Sequence, residues 1–145
     1  MNQLLDYLTM YPDDGTTYRA SIMILCTHTN AGFHNESKGR SQAGAHIFVS
    51  KNDPFPKHNE SLLSISQIMK FVMSSAAKAE FGALYTTTKE MVPLHQTHIK
   101  MGWLQPRTPI QMDNSTAIGI TNLTIVLRKT KSMDLRSWWF HCRES

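Results

Sequence analysis

The sequence has no long hydrophobic run and no basic segment near its start. No stretch of its 145 residues approaches the roughly 18 consecutive apolar residues that a membrane-spanning helix needs. The first residues, MNQLLDYLTMYPDDG, place no lysine or arginine ahead of their short apolar run, unlike a secretory signal peptide. From these absences we expect neither a transmembrane segment nor a secretory signal peptide. We therefore expect an intracellular location, in the cytoplasm or the nucleus.

Cysteine and charge are also scarce. The two cysteines, Cys26 and Cys142, are too few for a disulfide scaffold and lack metal-ligand spacing, so we expect two reduced thiols packed as small hydrophobic side chains. Charged residues make up 18% of the chain and hydrophobic residues 41%, which excludes a disordered polyelectrolyte and predicts one folded domain. The net charge of +4 permits a nucleic-acid partner but does not require one.

The hydrophobic pattern changes its period along the chain. Residues 18–27, 44–50 and 62–68 are rich in β-formers or alternate in polarity, and they predict three strands joined as an antiparallel meander. The polar residues 28–42 are expected as the loop between the first two strands. A helix is expected from Ser74 or Ser75 to about residue 91, ended by Pro93, with a second helix over 94–101. A short strand over 108–112 and further helices follow. This order predicts an α/β fold in which helices cover a mixed sheet.

Single acidic residues stand at the ends of apolar elements. Glu80 interrupts an alanine-rich helix face, Asp113 follows the strand PIQM, and Asp134 lies inside SMDLRSWW. Each alone is more often a solvated side chain or a helix cap. Strand ends and a neighbouring helix can bring such carboxylates together, and together they would suit Mg²⁺, which prefers oxygen ligands.

Three segments carry a resemblance to a known family. The run SISQIMKFVMSSAAKAEFGALYTTTKEM, then PIQMDNSTAIGI and RKTKSMDLRSWW, resemble the ribonuclease H domain of copia-type retrotransposon polyproteins. The shared marks are the S-S-x-x-x-A-E helix start, the strand followed by D-N, and the basic K-x-x-D segment. The resemblance spans about residues 22–143 and implies a connector or N-terminal arm over 1–20 and a ribonuclease H-like domain over 21–145. Its fold has three antiparallel strands, a helix, a parallel strand and more helices.

The resemblance implies two-metal hydrolysis of RNA paired to DNA, with Mg²⁺ or Mn²⁺ held by four carboxylates. Glu80, Asp113 and Asp134 match the second, third and fourth of these. Asn30 stands at the first, where the family has an aspartate that bridges both metals. A neutral amide there lowers the site charge from −4 to −3, so we expect weak binding of the second metal and impaired hydrolysis. The family also continues into another strand after its last helix, so the resemblance implies that this sheet lacks its last strand.

The basic residues have two interpretations. They are either a solvated surface or contacts to the phosphates of an RNA–DNA hybrid or another nucleic acid. The residues concerned are Lys38, Arg40, Arg128, Lys129 and Lys131.

Three functions therefore stay open. The domain is a ribonuclease H-like protein with impaired or absent hydrolysis, an active nuclease in which His28 or a water replaces the missing ligand, or a structural module. In the structural module, the sheet edge left open by the missing last strand pairs with another protein.

Overall fold

A computed structural model describes residues 2–13, 15, 17–53 and 56–115. Its elements are listed in chain order as helix α1 (Asn2–Met10), strand β1 (Ile24–Glu36), a 3₁₀ turn (Ser37–Gly39), strand β2 (Arg40–Ser50), strand β3 (Ser61–Ile68), helix α2 (Ala76–Lys100) and strand β4 (Ile110–Gln111). No helix in these ranges is both long enough and apolar enough to cross a membrane.

The four strands form one mixed sheet in the order β3-β2-β1-β4. β1 and β2 pair antiparallel, with Asn30 opposite Gly44, and β2 pairs antiparallel with β3. β4 pairs parallel with β1, with Thr27 opposite Ile110. The predicted fold class, an α/β fold with three antiparallel strands and one parallel strand, is confirmed. The division into residues 1–20 and 21–145 stays a prediction.

Helix α2 covers one face of the sheet. It begins at the cap residue Ser75, whose hydroxyl accepts a hydrogen bond from the Lys78 backbone N–H at 3.3 Å. Met91 packs against Leu25, Ile47 and Val49 of the sheet. Burying each of these side chains stabilises the folded state by roughly 1.5–3 kcal/mol. This contact therefore fixes the helix over β1 and β2. A second cluster lies nearer the start of the helix and contains Ala43, Met69, Met73, Ala79 and Ala83.

The other face of the sheet carries a smaller core of Ile24, Cys26 and Phe48. Cys26 is fully buried, as expected for a thiol that packs as a small hydrophobic side chain. Burial raises the pKa of its thiol to about 11, so the thiol is protonated at neutral pH and is a poor nucleophile. Cys142 lies outside the described residues.

Three predicted boundaries are wrong. The first strand, expected over residues 18–27, begins at Ile24. The polar residues 28–42, expected as a loop, continue β1 and β2 as a long hairpin, because backbone pairing satisfies their N–H and C=O groups and their outer face needs no apolar side chain. Pro93 lies inside one continuous helix. Its ring removes one N–H donor but fits helical φ, and the buried side chains of Met91 and His98 hold the helix on either side of it.

Candidate active site

Glu80 is the buried acid of the site. It lies early in α2, and its side chain is 6% exposed. Its Oε1 accepts a hydrogen bond from the Ala31 backbone N–H on β1 at 3.0 Å. Its Oε2 is buried and has no hydrogen-bond partner among the described residues. A buried carboxylate oxygen without a donor is costly, and a cation bound at this atom would offset that cost.

The side chains of Asn30 and Glu80 both accept a hydrogen bond from the Ala31 backbone N–H. The Oδ1 atom of Asn30 accepts from the Ala31 N–H at 2.7 Å, so this single donor lies between the Asn30 amide oxygen and the Glu80 carboxylate. Asn30 is itself exposed, on the outer part of β1. The strand therefore brings an exposed amide oxygen beside a buried carboxylate.

Asp113 joins these two residues through the parallel pairing of β4 with β1. His28 lies opposite Gln111, the last residue of β4, and Asp113 follows two residues after this pair, as Asn30 follows two residues after His28 on β1. The side chain of Asp113 is exposed. Its negative charge acts on Glu80 and raises the pKa of the Glu80 carboxyl. We call Asn30, Glu80 and Asp113 the acidic site.

The side chain of Gln105 sets the position of β4. Its Oε1 accepts from the Leu25 N–H at 2.9 Å, and its Nε2 donates to the Met23 carbonyl at 2.8 Å, so it pairs with β1 as a strand residue would. The next β1 donor, the Thr27 N–H, bonds the Pro109 carbonyl at 3.1 Å. These bonds align the chain along β1 before β4 begins. They therefore fix the position of β4, the strand that precedes Asp113.

The electrostatics of the site favour the neutral form of Glu80. Burial raises the pKa of the Glu80 carboxyl above its ordinary value, the hydrogen bond from Ala31 partly opposes this, and the charge of Asp113 raises it further. A positive charge beside Glu80 would favour its ionised form and so lower this pKa.

The donor atoms fit a hard divalent cation. Two carboxylates and an amide oxygen are the ligand types that Mg²⁺ and Mn²⁺ take in proteins. Within residues 2–13, 15, 17–53 and 56–115, no group of three or more His, Cys, Asp or Glu side chains could hold a metal ion. The remaining predicted carboxylate, Asp134, lies outside these residues, so its position relative to Glu80 and Asp113 stays a prediction.

Two of the five basic residues predicted to contact nucleic acid lie within the described residues. Lys38 and Arg40 lie at the tip of the hairpin between β1 and β2. Arg40 donates to the Ser37 carbonyl at 3.2 Å and to its hydroxyl at 3.3 Å, whereas Lys38 is exposed. Arg40 is four residues along β2 from Gly44, the partner of Asn30, which is about 13 Å at the rise of a strand. Arg128, Lys129 and Lys131 lie outside the described residues.

Sequence reasoning missed several contacts near the site. The His34 ring bonds the Met73 carbonyl at 2.8 Å and ties the hairpin to the segment before α2. The hydroxyls of Thr29 and Thr87 lie 3.2 Å apart in the buried contact between β1 and α2. The histidine considered as a replacement ligand, His28, has its ring 5.5 Å from the ring of His58. In the sequence, the serine-rich start of α2 is the only feature that points to these contacts.

The structure is similar to that of a ribonuclease H1, LC11-RNase H1, which was isolated from compost by a metagenomic approach. The TM-score is 0.58, the sequences are 13% identical, and the match covers 81% of this chain and 73% of that chain. The sequence matches no protein-family model and no curated protein. The chain therefore has a ribonuclease H-like fold, and at this identity the likeness establishes the fold alone.

Proposed function

We propose that this chain is a ribonuclease H-like domain of copia-type retrotransposon origin that binds RNA–DNA hybrids, and that Asn30 impairs its two-metal hydrolysis. One observation carries the proposal: on this fold, the buried Glu80 carboxylate has an oxygen with no hydrogen-bond partner among the described residues, shares the Ala31 N–H with Asn30, and is acted on by the charge of Asp113. The name of the similar structure, a ribonuclease H1, supports the reaction class. The copia-type origin is supported by the sequence motifs around Glu80, Asp113 and Asp134.

Each residue of the site would contribute a different ligand to a bound divalent ion. Glu80, fixed by the Ala31 N–H, presents its second oxygen from a buried position, while Asp113 offers an exposed carboxylate. Asp134 is the third carboxylate that the sequence predicts. A bound Mg²⁺ or Mn²⁺ supplies charge stabilisation for the phosphodiester oxygens and a water molecule of lowered pKa.

Asn30 weakens the site for two chemical reasons. An aspartate could keep the Ala31 N–H on one oxygen and offer its second oxygen to a cation. The second polar atom of an asparagine is an NH₂ group, which is a donor and repels a cation. The substitution also removes one negative charge from the site, and metal affinity depends on that charge.

The hairpin supports the choice of a nucleic acid as ligand. Lys38 and Arg40 lie on the same hairpin as Asn30, and cations of this kind contact the phosphates of a duplex. A duplex lying across the acidic site would thus meet positive charge at the hairpin tip.

The test restores the missing carboxylate. We expect Asn30→Asp to raise Mg²⁺-dependent cleavage of a labelled RNA–DNA hybrid by about 10²–10³-fold, the scale of one preorganised electrostatic contact to a transition state. Asn52→Asp is the matched control, because it adds the same charge at an exposed position between β2 and β3 and should leave cleavage unchanged. Binding of the hybrid is measured in parallel in Ca²⁺ or EDTA.

The outcomes separate the parts of the proposal. Robust and equal cleavage by the natural chain and by Asn30→Asp would show that Asn30 is no defect. Binding without cleavage by both proteins would contradict the two-metal site and leave a hybrid-binding role. Absence of hybrid binding at low salt would overturn the proposed function.

A further inference from the structure

The proposed function gives no role to His34, which contacts the segment before α2. It lies on the hairpin of β1 and β2, four residues after Asn30. Its ring atom Nε2 lies 2.8 Å from the carbonyl oxygen of Met73. Because a carbonyl oxygen only accepts, Nε2 must carry a proton, as it does in the charged ring and in one neutral tautomer. The bond from His34 to Met73 is therefore compatible with both charge states of the ring.

The backbone of His34 adopts a conformation that most residues avoid. Its φ is 52°, in the left-handed region, where histidine is one of the enriched residues other than glycine. The pairing of β1 with β2 is irregular over residues 32–36, and such a bulge re-aims a side chain. The His34 N–H donates to the hydroxyl of the buried Ser41 at 3.2 Å, and the Phe33 ring stacks on the His34 ring with centroids 3.9 Å apart. These contacts hold both the backbone and the ring of His34 in place.

Met73 connects this contact to helix α2. Its side chain is 7% exposed and belongs to the buried cluster that includes Ala79 and Ala83 of the helix. A β-carbon on Gly82 would lie 2.9 Å from the Met73 Cε atom, so the bare backbone of this glycine leaves space for the methionine. Glu80 follows Ala79 directly in the sequence. The main chain of Met73 is therefore bonded to the hairpin, while its side chain packs on the turns of α2 that carry Glu80.

We propose that His34 is a positioning residue of the acidic site, which holds the start of α2 against β1 so that Glu80 stays on the Ala31 N–H. The bond from Ala31 to Glu80, at 3.0 Å, and the bond from His34 to Met73, at 2.8 Å, leave β1 only three residues apart. Together they close a ring of contacts that runs from β1 through Glu80, α2 and Met73 back to β1. A carboxylate that is fixed at one oxygen presents the other in one place, as an oriented metal ligand does. The consequence for ion binding rests on the proposed function.

Two substitutions separate the role of the ring from that of the backbone. His34 is exposed, so neither substitution opens the core. His34→Gln keeps an N–H donor near the position of Nε2, but glutamine suits the left-handed φ less well than asparagine does. His34→Asn suits this φ, but its side chain is too short to reach the Met73 carbonyl. If the ring bond positions Glu80, the glutamine variant should resemble the natural chain and the asparagine variant should not. A residue needed only for the turn would give the opposite order.

Amide hydrogen exchange on the full chain, followed by NMR in EDTA, tests the position of Glu80 directly. The Ala31 N–H should exchange about tenfold faster in His34→Asn than in the natural chain, and at most about threefold faster in His34→Gln. The Thr27 N–H, which bonds the Pro109 carbonyl at 3.1 Å, is the internal reference for the stability of the sheet. His58→Asn makes the same change at an exposed histidine between β2 and β3, and it should leave the exchange of both amides unchanged.

Titration calorimetry with Mg²⁺ then measures what the position of Glu80 contributes to ion binding. The Kd for Mg²⁺ should rise about tenfold in His34→Asn, which is the low end of the loss caused by removing a group that orients a metal ligand. In His34→Gln the Kd should stay within about threefold of the natural value, because the donor to Met73 is kept.

The exchange rates decide the inference, and the Mg²⁺ titration separates it from the proposed function. Faster exchange at Ala31 but not at Thr27 in His34→Asn, with slow exchange kept in His34→Gln, supports the inference. Unchanged exchange at Ala31 in His34→Asn overturns it, and so does the opposite order of the two variants. Faster exchange of Ala31 and Thr27 together also overturns it, because that result shows a general loss of stability. A natural chain that binds no Mg²⁺ contradicts the proposed function, and the exchange of Ala31 still decides whether His34 positions Glu80.

Discussion

Removing the buried charge of Glu80 should stabilise the protein when no metal is bound. Glu80→Gln is nearly isosteric, and the glutamine oxygen can still accept the Ala31 N–H. The variant no longer transfers a carboxylate from water to a position that is 6% exposed, next to the charge of Asp113. Its new NH₂ group replaces an oxygen that has no hydrogen-bond partner among the described residues, so the NH₂ group is also left unpaired and offsets part of the gain. We expect a net increase of about 1 kcal/mol in the free energy of unfolding at pH 7.

The sign of the pH dependence follows from the raised pKa of Glu80. The folded protein holds the proton of this carboxyl more tightly than the unfolded chain, whose carboxyl has its ordinary value of 4.5. Glu80 therefore costs nothing below the unfolded pKa, and its cost grows as the pH rises past 4.5 and through the folded pKa. The advantage of Glu80→Gln should be present at pH 7 and absent at pH 4.

Urea unfolding in EDTA at pH 4, 5 and 7 measures this difference, with Glu90→Gln as the control on the exposed side of the same helix. A thermal melt should show a rise of about 3 °C for 1 kcal/mol in a chain of this size. Added Mg²⁺ should reverse the order, since it stabilises the natural chain by about 2.7 kcal/mol at a concentration 100-fold above its Kd and the variant by less. A loss of stability for Glu80→Gln in EDTA at pH 7 would refute the account of Glu80 as an uncompensated buried acid.

Two further predictions concern the hairpin and the end of α2. The affinity for an RNA–DNA hybrid should fall as the salt concentration rises. Lys38→Asn should reduce the slope of log K against log salt by about 1, and asparagine suits the positive φ of 62° at this position. The control Lys89→Ala, on α2, should leave the slope unchanged. Salt-independent binding would contradict the phosphate contacts. Burial and the nearby His98 lower the pKa of His95 below its ordinary 6.5, so the unfolded chain takes up this proton first and the free energy of unfolding should fall as the pH drops below 6.5. Urea midpoints at pH 7.5 and 5.5 should differ less in His95→Gln, and an equal difference in both proteins would contradict the lowered pKa of the partly buried His95.

Several features of the protein could be predicted from the sequence alone. The change from alternating to helical periodicity near Ser75 gave the order of strands and helix, because local side-chain pattern reflects which face each element buries. The motifs around Glu80 and Asp113 gave two residues that the fold brings together. Their catalytic role, like that of Asp134, remains a prediction, as does the impairment expected from Asn30.

Other features depended on the tertiary structure. Residues 28–42 are polar, so their sequence pattern indicates a loop, but pairing with the opposite strand satisfies their backbone groups and continues the hairpin. Pro93 ends an isolated helix but not one that packing holds on either side. The Ala31 amide that joins Asn30 to Glu80, and the Gln105 side chain that aligns the chain with β1, leave no trace in local periodicity. Both are hydrogen bonds between segments 49 and 80 residues apart in the sequence, and such bonds form only when the folded chain brings their partners together.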